Sequence, residues 1–242
     1  MPPLPADAKA VTYPSGGRSL TAWIGMPDNP PARAPVVIFL HGGFAFGSDD
    51  FDMARPYRDA GFVVVTPILR AENGQDGNFS MFYDEVDDVI AVTDYVRRLP
   101  DIDPERIFLA GHSIGGTMTM LAAMTSPWFR GVASLSGSPD QILWIKFGGY
   151  NRIAPFDIND EREYVMRSPL SYARSFKAPA RIYYGSAEPF FGPSSRKLAE
   201  VATAAGADVV TKEMPGDHFG AVPAEIADSI IFFRNVGNAH GR

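Results

Sequence analysis

The 242-residue sequence contains no cysteine. That absence excludes disulfides, thiolate metal sites and a cysteine nucleophile. Histidine is scarce as well. The four stand at His41, His112, His218 and His240, so chemistry that needs an imidazole must draw on one of them. No apolar run approaches the roughly 20 residues of a membrane-spanning helix, and no membrane partner is expected. The formal net charge is -6 with no long basic run, so a nucleic-acid partner is not expected either. Neither a cluster of metal-ligating residues nor a phosphate-binding glycine loop occurs, and no cofactor is expected. The first residues, Met1-Pro2-Pro3-Leu4-Pro5-Ala6, lack the basic head and apolar run of a secretory leader. A cytoplasmic location is therefore the default expectation.

What is present has the rhythm of strands alternating with helices. Ala10 to Tyr13 and Leu20 to Met26 flank a turn-rich stretch from Pro14 to Arg18 and read as a hairpin. A proline-rich connection, 27–35, leads into Val36-Val37-Ile38-Phe39-Leu40, a continuous apolar run typical of a strand covered on both faces. Comparable runs recur at Phe62 to Val65, Ile107 to Ala110, Val132 to Leu135, Arg181 to Tyr184 and Val209 to Met214. Helical patterns lie between them, over Asp84 to Leu99, Gly115 to Thr125, Ser194 to Ala205 and Ala221 to Phe233. The first has acids at its start and Arg97-Arg98 at its end, as the helix dipole favours. The expected fold class is α/β, a mostly parallel central sheet with helices on both faces. Residues 1–242 read as one domain, a length such a domain commonly fills. The stretch 138–177, rich in glycine, proline and aromatics, interrupts the alternation and reads as a small cap over the sheet's carboxyl edge.

Gly111-His112-Ser113-Ile114-Gly115 fits G-x-S-x-G, with an apolar strand before it and a helical pattern after it. A serine at such a tight bend takes a strained backbone and projects its hydroxyl above the sheet. Glycine is needed two residues to either side, because side chains there would collide. The next N–H, that of Ile114, opens the helix and points at a bound oxyanion. Serine is a poor nucleophile at neutral pH and needs a base. His218 follows the last strand pattern in a Pro-Gly-Asp-His-Phe-Gly loop, which would deliver it to the carboxyl edge. An acid is needed to orient the imidazole and stabilise its cation. Glu188, in the loop after Arg181 to Tyr184, is the first choice; Asp140 and Asp217 are rivals. His41-Gly42-Gly43-Phe44 follows the first long strand pattern, and its glycines would let the backbone approach a reacting carbonyl. The N–H of Phe44, with Gly43, is expected to join that of Ile114, while His41 braces the loop.

Together these residues resemble the α/β-hydrolase superfamily, and within it the catalytic domain of the prolyl oligopeptidase family and its small esterase relatives. The likeness is carried by His41-Gly42-Gly43, by Asp87-Asp88 ahead of Asp103-Pro104-Glu105-Arg106-Ile107, and by the serine pentapeptide. It continues through Ser168-Pro169-Leu170-Ser171-Tyr172-Ala173, Gly185 to Glu188 and Pro215 to His218, and spans about residues 36–233. The resemblance implies the chain order serine, acid, histidine, which is the order found here. It also implies an acyl-enzyme on Ser113. The family usually carries aspartate where Glu188 stands, and the peptidases often carry glycine where His112 stands. No propeller is read ahead of the matching region, which weakens the expectation of oligopeptide cleavage.

Phe44, Phe46, Trp144, Phe147, Tyr150, Phe156, Phe190 and Phe191 all fall in loops after strands or in the cap, and are expected to wall an apolar pocket. The expected function is that of a carboxylesterase acting on apolar or aromatic small-molecule esters. The alternatives are an aminopeptidase or acyl-peptidase, and, from another class, a non-catalytic binding protein on the same fold.

Overall fold

The computed structural model describes residues 1–238. The first two strands, β1 (Ala8–Ser15) and β2 (Arg18–Gly25), form the expected hairpin, with a turn of only two residues, Gly16-Gly17, both at positive φ. Six further strands complete one sheet: β3 (Ala34–Leu40), β4 (Val63–Pro67), β5 (Ile102–His112), β6 (Gly131–Leu135), β7 (Ala180–Gly185) and β8 (Val209–Met214). Their order is β1-β2-β4-β3-β5-β6-β7-β8. β1 and β2 are antiparallel to their neighbours, and every pairing from β4 to β8 is parallel. The carboxyl ends of the parallel strands therefore meet along one edge, where an α/β sheet collects its site.

The described residues form seven α-helices: α1 (Ser48–Met53), α2 (Arg55–Asp59), α3 (Glu85–Val96), α4 (Ile114–Thr125), α5 (Glu161–Arg167), α6 (Phe191–Ala204) and α7 (Val222–Asn238). Strand side chains alternate between two cores, as the two-residue period requires. Val36, Ile38 and Leu40 of β3 join one core with residues of α3, α4 and α6. Val37 and Phe39 join the other with residues of α1, α2 and α7. Each large side chain so buried contributes roughly 1.5–3 kcal/mol. The continuous apolar runs in the sequence are the trace of this two-sided burial.

Several boundaries differ from the sequence reading. The helix expected from Ser194 starts at Phe191, and Ser194 Oγ donates back to the carbonyls of Phe190 and Phe191. β5 extends five residues upstream of the expected Ile107, and α1 and α2 were not anticipated. The stretch 138–177 holds no strand. It consists of a π-helical turn (Ile142–Phe147), two 3-10 turns (Tyr150–Ile153 and Pro169–Ser175) and α5. Arg167 fastens α5 to the body by donating from Nε and Nη2 to the carbonyl of Ser80, each at 3.0 Å. No helix among the described residues is long and apolar enough to cross a membrane.

Candidate active site

Ser113 sits between the end of β5 and the start of α4, at φ 57° and ψ -118°. A non-glycine residue in that region is strained, and the surroundings must hold it there. Its N–H donates to the Leu135 carbonyl at 2.9 Å, and its carbonyl accepts from Thr117 N–H at 3.1 Å. The flanking glycines make the bend sterically possible. A Cβ on Gly111 would lie 2.5 Å from the Gly115 carbonyl oxygen, and one on Gly115 would lie 2.2 Å from that of Leu40. The G-x-S-x-G spacing is thus a packing requirement between β5, α4 and the neighbouring β3. Ile114 is the first residue of α4, so its N–H has no acceptor within the helix.

The loop after β8 brings His218 across. Its Nε2 lies 2.9 Å from Ser113 Oγ, and its Nδ1 lies 2.5 Å from Glu188 Oε1. An ionised carboxylate only accepts, so Nδ1 carries the hydrogen and Nε2 is bare toward the serine hydroxyl. Glu188, in the loop after β7, is itself held by two donors to Oε2: the Gly185 N–H at 2.6 Å and the Ser136 hydroxyl at 2.6 Å. Burial opposes its charge, but hydrogen bonds from His218, Ser136 and Gly185 outweigh burial and hold its pKa below the usual glutamate value.

The rival acids are engaged elsewhere. Asp140 Oδ1 accepts from the N–H groups of Ile142 and Leu143 and starts the π-helical turn. Asp217 Oδ1 accepts from Phe219 and Gly220 N–H and shapes the loop that carries His218. Neither meets the imidazole; Glu188 does.

His41 and His112 have partners other than Ser113. His41 is buried, with Nδ1 2.9 Å from the Gly42 carbonyl oxygen and Nε2 2.8 Å from Glu72 Oε2. Burial opposes its cation, but the Glu72 carboxylate overrides burial and raises its pKa. His112 Nε2 binds the His218 carbonyl at 2.9 Å. Burial lowers its pKa to about 4, so it is neutral near pH 7. His240 lies outside the described residues.

The loop after β3 passes close to the serine. A Cβ on Gly42 would stand 3.3 Å from Ser113 Cβ, and Gly43 has φ 71°. Asn73 fixes the next turn, accepting from Phe46 N–H at 2.8 Å and donating to the Phe46 carbonyl at 2.9 Å. The sequence reading missed Asn73, Glu72 and Ser136. No local motif marks the first two; Ser136 had the one signal of standing directly after a strand.

Beside Ser113 opens a cleft of about 330 Å³, walled mainly by Leu143, Trp144, Tyr150, Phe190 and Phe191. Trp144 and Tyr150 stack at 4.2 Å between ring centroids. Four expected wall residues lie elsewhere. Phe46 is buried in the core, edge-on to Trp23 at 4.8 Å, because the Asn73 turn directs it inward. Phe147 points outward and is 73% exposed, at the end of a turn whose opposite face packs on the protein. Phe156 packs edge-on against Tyr164 within the cap, under the Arg167 guanidinium. Phe44 is outside the cleft, edge-on to Phe79.

A serine at a strained strand-to-helix bend, under the carboxyl edge of a mostly parallel sheet, defines the α/β-hydrolase class. The chain belongs to the prolyl oligopeptidase family, whose sequence profile matches residues 50–187, more than half of it. The uncharacterized peptidase YuxL of Bacillus subtilis (strain 168) is 29% identical over 172 residues, covering 62% of this chain and 25% of the relative. The uncharacterized peptidase YtmA of the same organism is 25% identical over 193 residues, covering 72% of this chain and 71% of the relative. The chain thus spans only a quarter of YuxL but most of YtmA. In fold, it is similar to a hyperthermophilic esterase from the archaeon Pyrobaculum calidifontis, with a TM-score of 0.74 at 17% identity over 96% of this chain and 85% of the esterase.

Proposed function

We propose that this chain is a serine carboxylesterase that cleaves apolar or aromatic small-molecule esters through an acyl-enzyme on Ser113. The observation that carries the reading is the 2.9 Å contact between Ser113 Oγ and a His218 Nε2 left bare by the Glu188 carboxylate. Ser113 Oγ adds to the ester carbonyl carbon as its proton passes to His218 Nε2. The carbonyl electron pair becomes an oxyanion, received by the N–H groups of Ile114 and of Phe44, with Gly43 beside them. Collapse breaks the ester C–O bond. The leaving alkoxide takes the proton from Nε2, and the acyl group stays on Ser113. Water then repeats both steps and frees the acid. Glu188 remains ionised throughout and stabilises the imidazolium.

The cleft supports a neutral substrate. Its walls are chiefly apolar, and its one carboxylate, Glu188, is already bound to His218, Ser136 and Gly185. An aminopeptidase must compensate its substrate's buried ammonium, and no free acid lines this cleft for that purpose. An N-acylated peptide carries no such charge. Acyl-peptide cleavage is therefore the second reading, favoured by the two relatives named as peptidases.

The test has two parts. A fluorophosphonate should label the wild type and leave Ser113→Ala unmodified. Turnover should then be compared for nitrophenyl esters and for aminoacyl anilides, free and N-acetylated. Esters are expected to turn over far faster than either anilide. Dominant turnover of N-acetylated anilides would establish the second reading, and a folded protein that never reacts at Ser113 would end both.

A further inference from the structure

Behind Glu188, on the side away from His218, stands a second carboxyl group. Glu225, in the first turn of α7, is fully buried, and its Oε1 lies 3.1 Å from Ser136 Oγ. The same hydroxyl lies 2.6 Å from Glu188 Oε2. Ser136 is well placed to stand between them. It follows β6 at φ 47°, and its N–H donates to the Tyr183 carbonyl at 3.1 Å. Two acids and one hydroxyl thus form a chain ending on the triad acid.

Hydrogen counting fixes the direction of this chain. A serine hydroxyl has one hydrogen and can also accept. The shorter contact assigns that hydrogen to Glu188 Oε2. The contact to Glu225 is then a hydrogen bond only if Glu225 brings its own proton and donates it to Ser136 Oγ. Glu225 Oε2 has no hydrogen-bond partner. An unpaired carbonyl oxygen of a neutral acid is far cheaper to bury than an unpaired carboxylate oxygen.

We propose that Glu225 is a positioning residue for the triad: as the neutral acid it donates to Ser136 Oγ, which commits the single Ser136 hydrogen to Glu188 and keeps that carboxylate aimed at His218. This rests on the proposed roles of Ser113, His218 and Glu188. Burial, joined by the Glu188 charge, raises the Glu225 pKa to about 8 despite the anion-favouring start of α7. Above that pH two carboxylates face one hydrogen. They repel, and Glu188 loses its exclusive claim on Ser136.

The other groups around α7 do not relieve that repulsion. From β5, His112 is neutral. From α2, the Tyr57 hydroxyl bonds to Ser229, and burial drives its pKa up. From β7, Tyr183 donates to Asp228, which also holds Lys212 of β8, and Arg181 lies over Phe232. β6 (Gly131–Leu135) carries no titratable side chain.

The experiment is a kcat profile from pH 6 to 10 with a nitrophenyl ester, paired with the rate of fluorophosphonate labelling at Ser113. Wild type should lose at least threefold in both rates as pH rises through about 8. Glu225→Gln, whose amide still donates to Ser136, should keep the neutral-pH rate within about threefold and lose that alkaline fall. Glu225→Leu should lower the rate at least tenfold at pH 7, and adding Ser136→Ala to it should lower the rate little further. If Glu225→Leu does not fold, the Gln profile alone decides. A Glu225→Gln profile that superimposes on wild type through pH 9 overturns the proposal, as does a Glu225→Leu enzyme with wild-type rates. Failure of wild type to label at Ser113 is a different result: it removes the parent reading and this proposal with it.

Discussion

His112 Nε2 donates to the main-chain carbonyl of His218 at 2.9 Å, tying the residue before the serine to the residue whose ring meets Ser113 Oγ, 106 positions away. A carbonyl can only accept, so Nε2 carries the ring hydrogen and Nδ1 is bare. That bare nitrogen has no hydrogen-bond partner and faces Gly42, where a Cβ would come within 3.0 Å of it. The ring is therefore a clamp, packed from one side and bonded on the other. His112→Phe keeps most of the volume and removes the donor. Loss of one hydrogen bond of about 1 kcal/mol that fixes the His218 loop should lower kcat about fivefold, with KM little changed. Steady-state kinetics on one ester checks this; a kcat within twofold of wild type would make the clamp incidental.

Glu188→Gln should be the most damaging of the acid substitutions. In the proposed mechanism it removes the acceptor that selects the His218 tautomer and the charge that stabilises the imidazolium. The analogous change in a serine protease lowers kcat roughly 10⁴-fold, and a loss of that order is expected here. Asp140→Asn and Asp217→Asn should each keep the rate within about threefold. Their carboxylates serve local turns, and an amide oxygen still accepts those N–H bonds. Single-turnover rates on the three variants rank the acids directly.

Much of this architecture was open to sequence reasoning, and physics explains where it stopped. β3 to β7 announced themselves because both faces are buried, which leaves uninterrupted apolar runs. The bend at Ser113 was legible because its glycines are demanded by backbone atoms only a few residues away or on the adjoining strand. Glu188 and His218 could be named from their places after successive strands. Glu225 and Ser136 were not legible: they meet across 89 positions, and neither belongs to a local pattern. The aromatic walls failed for a related reason. Whether Phe46 or Phe147 faces a cleft depends on the path of an irregular loop, and periodicity says nothing about that. α1 and α2, at six and five residues, are too short to show a helical period.

The Asp88 carboxylate offers a test of stability away from the cleft. It is fully buried and accepts from Arg70 Nε at 2.8 Å, Arg70 Nη2 at 2.7 Å, the Arg70 N–H at 3.1 Å and the Ser15 hydroxyl at 2.5 Å. This joins the β1 hairpin, the loop after β4 and α3. Asp88→Ala leaves a buried guanidinium without its main partner, which typically costs about 3–5 kcal/mol. Denaturant unfolding should show that loss as a lower midpoint. A change below 1 kcal/mol would mean that Asp84, which also reaches Arg70 at 3.2 Å, takes over the charge.

Trp144 should read aromatic acyl groups. It stacks on Tyr150 and lines the cleft beside Ser113. Aromatic contacts add about 0.5–1.5 kcal/mol beyond buried area, so Trp144→Ala should raise KM for a benzoate ester up to about tenfold relative to the acetate. Equal changes for both esters would show that the ring only shapes the cavity and does not select the acyl group.

Glu225 also makes a prediction about stability, with a sign opposite to that of an ordinary ion-paired acid. Its native pKa stands near 8 against an ordinary 4.5. Between those values the native state holds a proton that the unfolded state has released, so unfolding becomes easier as pH rises. The stability this group contributes is complete below about pH 4.5 and is lost by about pH 8, beyond which both states are ionised and the slope ends. Glu225→Gln has no proton to lose. The wild-type Tm should therefore fall relative to that of Glu225→Gln across pH 5 to 8, and the gap should stay constant above pH 8.5. Parallel melting curves over the whole range would mean that Glu225 enters the folded protein already ionised, with Ser136 divided between two anions.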